Sequence, residues 1–488
     1  MTPDYRDLLF ALRPEIALVA GALVLLIVDL VSGRGRTAAA RLRTAVSIGL
    51  VALAAAAWGA VQPGRSGALF GGVFMLDPLT LAARVGVVGL TALTLVGLPG
   101  VVRLRHPAEY VAIVLFATAG FTLMAAAQQL LVAFLALEVA SLSLYVLAGF
   151  DKSRPESAEA ALKYFLFGGI SAAFLLFGFS LLYGLTGTIE LPALAQQLRG
   201  LPPNTLLVVA LVMVVVAFGY KAAAAPFHLW APDVYQGAPA PSAALIASAS
   251  KLAGFALFVR LLWAGLAPAA GAAADAPPGW ISVLVVIAGV SLLLGNLAAL
   301  AQSNVRRLLA YSAIAHAGAL LLGVIAAGQF GPARLVYYAA TYGLATVGAF
   351  TVIAVVDRAG RCHDLTDLAG LQRRSPLLAG TLLLFILSLA GIPPLAGFFG
   401  KFAVFAAALQ LNGLASPTGW LALLAIALSA VGLYYYLLIL KQALVLPPSA
   451  GAQQRIPVPA GAAVALLVTS LLLLGLGVAP SVLLRLAS

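Results

Sequence analysis

Fourteen apolar runs follow one another along this chain, each near the length a helix needs to cross a bilayer, and they leave it few ways to fold. They lie near residues 14–31, 44–61, 76–98, 108–126, 129–149, 159–184, 204–226, 239–265, 280–300, 307–328, 332–356, 376–410, 418–440 and 459–484. About 20 mostly apolar residues span the hydrocarbon core as a helix. The chain therefore reads as an all-α polytopic membrane protein with about 14 transmembrane helices. Composition agrees: of 488 residues, 63% are hydrophobic and 9% charged, against the ~25% charged of soluble domains. Asp4, Arg6, Asp7, Arg13 and Glu15 do not form a basic n-region, so the first run is expected to be a retained span and not a cleaved signal.

The net charge of +12 is mostly a topology signal. Loops after odd-numbered runs carry Arg34, Arg36, Arg41, Arg43, Arg103, Arg105, Lys152, Arg154, Arg306, Arg307, Arg358, Arg361, Arg373, Arg374, Lys441 and Arg455. The other side, with both termini, carries Arg6, Arg13, Arg65, Arg199, Arg334 and Arg485. An excess of Lys and Arg marks the cytoplasmic side, which puts both termini outside and argues against a nucleic-acid partner. One cysteine, Cys362, excludes an internal disulfide and a cluster needing about four thiolates. With no nucleotide-binding glycine motif, no cofactor is expected on this chain.

Six basic residues fall inside the runs: Arg84, Lys163, Lys221, Lys251, Arg260 and Lys401. A charge at the bilayer centre costs roughly 2.5–3.5 kcal/mol even on the lenient insertion scale. Lys401 follows Leu389-Ala-Gly-Ile-Pro-Pro-Leu-Ala-Gly-Phe-Phe-Gly, which must interrupt a helix. Lys221 precedes Pro226, which removes a backbone donor and clashes with the preceding turn. Runs seven and twelve are therefore expected to be broken. Glu138, mid-run, is a natural partner for Lys221. The pair reads either as a movable proton site or as a static ion pair. Lys251 sits among small residues and serines that allow close helix approach. His316 suits a proton relay or a packing role. Lys163, His228, Arg84 and Arg260 lie nearer run ends, where snorkelling or lipid contact is at least as good a reading for the two arginines. Asp233 is expected in a cytoplasmic loop.

Spacing suggests an internal repeat. Lys401 follows Lys221 by 180 residues, and His316 follows Glu138 by 178. Five runs separate the members of each pair, an odd number, so the second unit is inverted, as in many transporters. The match is imperfect, since Lys251 shifted by 180 lands on Val431. The reading predicts two half-channels joined by a polar axis.

The strings Lys221-Ala-Ala-Ala-Ala-Pro-Phe-His-Leu-Trp-Ala-Pro-Asp-Val-Tyr-Gln-Gly-Ala-Pro239, Leu389 to Lys401 and Leu135-Ala-Leu-Glu138 resemble the antiporter-like membrane subunits of respiratory complex I. Within that family the resemblance is to the subunit N type of bacterial NADH–quinone oxidoreductase. A lysine on the twelfth run, where the M type is expected to carry glutamate, points that way. So does the lack of the L type's long lateral helix before Ser488. The resemblance implies two inverted five-helix units, spans 4–8 and 9–13. It divides the chain into a three-helix segment (1–107), a first repeat (108–265), a second repeat (266–440) and a C-terminal helix (441–488). It implies proton translocation by Glu138, Lys221, Lys251 and Lys401. Lys163 and His228 match secondary positions, and His316 is a further candidate. NADH, FMN, iron–sulfur clusters and quinone would be bound by partner subunits, with K- and M-type neighbours in a bacterial inner membrane. The alternatives are a subunit of a multi-subunit cation/proton antiporter, a membrane scaffold, and, less well supported, a solute transporter.

Overall fold

The computed structural model describes residues 5–33, 35–62, 64–102, 104–201, 204–271, 279–360, 362–448 and 455–487. Arg34, Arg103 and Arg361, counted above in the loops, lie outside them. Helices α1 (Tyr5–Ala11), α2 (Arg13–Ser32) and α3 (Ala38–Val61) precede an antiparallel hairpin, β1 (Gly67–Leu69) and β2 (Phe74–Leu76), in which Ala68 faces Met75. Then come α4 (Pro78–Gly97), α5 (Pro107–Ala126), α6 (Leu130–Ala148), α7 (Pro155–Thr186), the short α8 (Leu191–Leu198), α9 (Thr205–Ala222), α10 (Trp230–Gly237), α11 (Ala240–Ala247) and α12 (Ala249–Arg260). The rest is α13 (Trp280–Leu300), α14 (Val305–Phe330), α15 (Ala333–Ala359), the short α16 (Leu371–Arg374), α17 (Pro376–Ala390), α18 (Ala396–Asn412), α19 (Pro417–Leu440), α20 (Ala460–Val478) and α21 (Ser481–Leu486).

Starts are written locally. Pro78, Pro107, Pro155, Pro376 and Pro417 open their helices, where a missing N–H costs nothing. Asp77, Asn204, Asn304 and Ser416 cap theirs by accepting from backbone N–H groups, the usual cap chemistry. Among the described residues, thirteen helices are long and apolar enough to cross a membrane, judged by length and composition. The expected run 376–410 is instead two shorter apolar helices, α17 and α18. The eighth run is also interrupted, at Ser248 (φ −114°, ψ −84°), between α11 and α12. No proline marks that break.

Burial locates the core. α11–α12, α14 and α15 are buried along nearly their whole apolar length, whereas most of α2, α3 and α7 lies outside the core. Helices α5 and α6, and likewise α13 and α14, pack along one another; α10 packs on both α7 and α14, and α18 on both α14 and α15. Phe165, Phe174 and Phe177 on α7 point outward, as expected of a lipid-facing side.

The two breaks differ in detail. α9 ends at Ala223 in a left-handed conformation, and α17 ends at Gly391, φ +86°. Ala225–Pro226 and Pro393–Pro394 are cis. Backbone groups freed by each break find internal partners, as membrane depth requires. The Ala225 N–H donates to Ser291 Oγ (2.8 Å) and Trp230 Nε1 donates to the Tyr220 carbonyl (3.1 Å). At the second break the Gly397 N–H donates to Ser388 Oγ (3.2 Å). Lys221 lies in the last turn before its break, but Lys401 lies in the second turn after its own. The 180-residue offset therefore superposes the lysines without superposing the breaks.

Candidate functional site

Buried Lys221, Lys251 and His316, with half-buried Glu138 and Lys401 at either end, form a line through the apolar bundle. It begins on α6. Glu138 has one carboxylate oxygen buried without a hydrogen-bond partner, and Ser141, one turn on, accepts from Lys221 Nζ at 3.2 Å. Glu138 and Lys221 interact through their charges but make no direct ion pair, contrary to the pairing expected above. Lys221 is held by the C-terminal end of α9, where the helix dipole favours a cation. Its stem lies against α12 at Gly254, where an added Cβ would meet Lys221 Cγ at 3.3 Å.

Lys221 and Lys251 line one cavity of about 10 Å³, walled by Phe218, Phe255 and Phe258. Lys251 Nζ donates to the Ala313 carbonyl on α14 at 2.7 Å and lies 5.2 Å from the centre of the Tyr342 ring. That ring stands 4.7 Å from the His316 imidazole, centre to centre. His316 is wired on both nitrogens: Nδ1 to Tyr338 OH (2.7 Å) and Nε2 to Tyr436 OH (3.1 Å). Tyr436 OH also bonds Ser312.

His316, Tyr338, Tyr436, Asn296 and Lys401 share a second cavity of about 20 Å³. A single water needs roughly 10–15 Å³ of such space. Lys401 Nζ donates to the Ala390 carbonyl at 3.1 Å, the last residue of α17. Gly391 permits this approach. It takes the left-handed turn, and a Cβ there would lie 3.0 Å from Lys401 Cδ. Lys401 thus faces the carbonyl end of α17, and Lys221 sits at the carbonyl end of α9 itself.

The family described as "NADH:quinone oxidoreductase/Mrp antiporter, TM" matches residues 127–432. The chain is 48% identical to "NADH-quinone oxidoreductase subunit N 2" of Acidobacterium capsulatum over 99% of both chains. It is 42% identical to "NADH-quinone oxidoreductase subunit N 1" of Roseiflexus castenholzii over 85% of this chain and 79% of that one. This chain belongs to the subunit N family of NADH–quinone oxidoreductase. Among solved structures it is similar to a chain of respiratory complex I from Thermus thermophilus, with TM-score 0.79, 34% identity and coverage of 97% and 98%. A chain of the Mrp complex from Dietzia sp. shares the fold at TM-score 0.80 with 22% identity, covering 98% of this chain and 96% of that one.

Set in a subunit N fold, the candidates separate into two groups. Glu138, Lys221, Lys251, His316 and Lys401 lie along the line. Lys163 and His228 do not join it by any hydrogen bond. Lys163 pairs with Glu159 and Asp233, both at 2.6 Å. Asp233 also pairs with Arg307 (2.5 Å), and neighbouring Arg306 pairs with Asp357 (2.8 Å). Asp233 is therefore a helical residue of α10 tying three helices, not a loop residue. His228 lies in the unwound segment after Lys221 with Nδ1 buried and unpartnered. The snorkelling alternative for the arginines is overturned. Arg84 and Arg260 are 3% and 5% exposed and carry carboxylate partners, Glu15 (2.8 Å) and Asp77 (2.8 Å).

Ser141, Ser312, Asn296 and the tyrosines 338, 342 and 436 were not singled out from the sequence. A weak signal existed in the run Tyr434-Tyr-Tyr436 and in Tyr337, Tyr338 and Tyr342. Several phenols per span serve better as hydrogen-bonding groups than as packing alone.

Proposed function

We propose that this chain is a proton-translocating membrane-arm subunit of NADH–quinone oxidoreductase in a bacterial inner membrane. It couples quinone reduction elsewhere in the complex to proton movement along Glu138, Lys221, Lys251, His316 and Lys401. Its membrane-arm neighbours are of the K and M types, and NADH, FMN, iron–sulfur clusters and quinone are bound by other partner subunits of the complex. Spans 4–8 and 9–13 act as two inverted units, α5–α12 and α13–α19. Matching packing of α5 on α6 and α13 on α14, and a broken helix in each unit, supports this division.

One observation carries the reading. Lysines without carboxylate partners and a doubly bonded histidine follow one another between two small cavities inside an otherwise apolar bundle. A lysine can give up its proton, and one that no carboxylate contacts directly is not locked in its charged form. Protons load at Lys251 from the cytoplasmic side and leave past Lys401. Loop charge gives the orientation of the chain, with both termini outward. Contacts agree with strict alternation: Lys163, Asp233, Arg306, Arg307 and Asp357 meet at ends that alternation puts on one side, and Glu15, Asp77, Arg84, Gln128 and Arg260 at the other.

The energies are sufficient. Moving one charge against ~150 mV takes roughly 3.5 kcal/mol. Two unit charges ~4 Å apart at an effective dielectric near 20 interact by about 4 kcal/mol. Bringing Glu138 into or out of contact with Lys221 therefore supplies about one proton's work.

The test is the assembled complex in proteoliposomes carrying Lys221→Ala or Glu138→Ala. Proton movement per NADH is expected to drop while the complex still assembles. Normal proton stoichiometry in either variant removes the role.

A further inference from the structure

Arg260 is a buried cation with three side-chain partners, yet the line of proton groups does not include it. Its Nη1 and Nη2 donate to the two oxygens of Asp77 at 3.0 and 2.8 Å, Nη2 also to Thr80 Oγ1 at 2.9 Å, and Nη1 to Gln128 Oε1 at 3.4 Å. It ends α12, the helix that carries Lys251 nine residues earlier. At 1.5 Å per residue that places it about 13 Å from Lys251 along the helix, toward the side that loop charge assigns to the outside.

Arg260 itself is buried, and its partner Asp77 is only partly exposed. Gln128 accepts from Leu191 and donates to Val73 through its backbone, stitching hairpin, α8 and the start of α6 together. Leu191 and Leu194 of α8 press on Gly265 just beyond α12. On the same side of the membrane the second unit is built differently. There a cleft of about 350 Å³ lies between α15, α18 and α21, bordered by Arg334, Tyr337, Phe402 and Gln410. Phe402 is the residue after Lys401.

We infer that Arg260, pinned by Asp77, Thr80 and Gln128, is a positioning residue that seals the outer end of the first unit, so that a proton on Lys251 moves sideways to His316 and Lys401 instead of straight out. A guanidinium cannot be deprotonated in a protein, so it neither relays a proton nor loses its charge. A fixed arginine in a narrow path excludes protons and cations by repulsion. This inference rests on the proposed role of Lys251.

The experiment is passive proton influx into proteoliposomes of the assembled complex, driven by a potassium diffusion potential with no NADH and read by an internal pH dye. Arg260→Gln, which leaves Asp77 without its cation, is expected to raise the leak roughly tenfold, equivalent to about 1.4 kcal/mol off the barrier. Arg260→Lys, which keeps the charge and loses the paired geometry, stays tight. Arg260→Gln with Asp77→Asn keeps hydrogen-bonding partners, protects against failure to assemble, and is expected to leak as well. Adding Lys251→Leu to Arg260→Gln restores tightness. Tight membranes with both neutral variants overturn the seal. A leak as large in Arg260→Lys as in Arg260→Gln makes the residue structural and overturns it too. A leak that survives Lys251→Leu shows that the path does not run through Lys251, and a change in pumping by Lys221→Ala then tests the relay independently.

Discussion

The middle of this molecule and its two rims hold buried cations in opposite ways. At the rims the cations are mostly arginines, each facing a carboxylate: Arg84 with Glu15, Arg260 with Asp77, Arg306 with Asp357 and Arg307 with Asp233. In the middle they are lysines, and their partners are a serine hydroxyl and backbone carbonyls. Arginine stays charged and forms a rigid fork, which suits a permanent tie between helices. Lysine is a point charge whose protonation responds to burial and neighbours. The contrast teaches that burial of a charge does not by itself mark a transport site. The kind of cation and the lack of a directly bonded carboxylate do.

Exchanging the two kinds of cation is the strongest way to break this contrast. Lys221→Arg and Lys401→Arg keep the charge but make the neutral form a hundred- to thousandfold rarer. Proton pumping by the assembled complex, followed with a pH-gradient dye, is expected to fall by at least about tenfold. Pumping at the normal rate would show that these lysines do not need to deprotonate. A smaller effect is expected from His316→Gln or Tyr436→Phe, which each remove part of one hydrogen-bonded link. Losing one such bond is worth about 1 kcal/mol, or roughly fivefold in rate. No change in either variant would mean that the second cavity is bypassed.

At the rim the expected effects move from pumping to stability. Asp357→Asn leaves Arg306 buried without its anion, a loss of about 3–5 kcal/mol for a fully buried pair and less here, where Asp357 is partly exposed. Less complex should assemble, on quantifying it in membranes, while protons per electron stay normal in what remains. Lys163→Arg is expected to change pumping by less than about twofold, because Lys163 serves two carboxylates and an arginine can do the same. A tenfold fall would move Lys163 into the relay. The smallest effect concerns pH. Burial opposes ionisation of Asp77, but hydrogen bonds from Arg260 outweigh it and hold its carboxyl below the usual carboxylate range. A depressed native value gives stability that is present above the unfolded pKa near 3.9 and is lost as pH falls through the lower native one. Passive leak should therefore be flat between pH 5 and 8, and a rise within that window would mean that Asp77 is not held as described.

Much of this was legible in the chain. Hydropathy gave the spans because bilayer thickness imposes one length on all of them. Proline positions gave both breaks beside Lys221 and Lys401, since a missing N–H acts locally. The break at Ser248 was not legible, because no proline or glycine announces it; there the Ser248 hydroxyl donates to the Ala244 carbonyl at 2.6 Å, a back-bond that bends helices. Ion pairing was the weakest inference. Glu138 and Lys221 are the obvious partners by charge, yet Lys221 turns to Ser141, while Arg84 and Arg260 find carboxylates on helices far away in sequence. Pairing depends on which helix faces meet, and apolar runs with nearly uniform hydrophobicity do not specify that. The tyrosine wiring of His316 was missed for the same reason: Tyr338 and Tyr436 reach it from two other helices.

The account is tested most directly by measuring protons moved per electron in the assembled complex with Lys251→Arg beside Arg306→Lys. Each exchange preserves one positive charge at its place. Lys251→Arg is expected to lose this subunit's share of the protons while electrons still flow, and Arg306→Lys to keep the full ratio. An unchanged ratio with Lys251→Arg, or an equal loss in both, would contradict the idea that protons travel through lysines able to let them go.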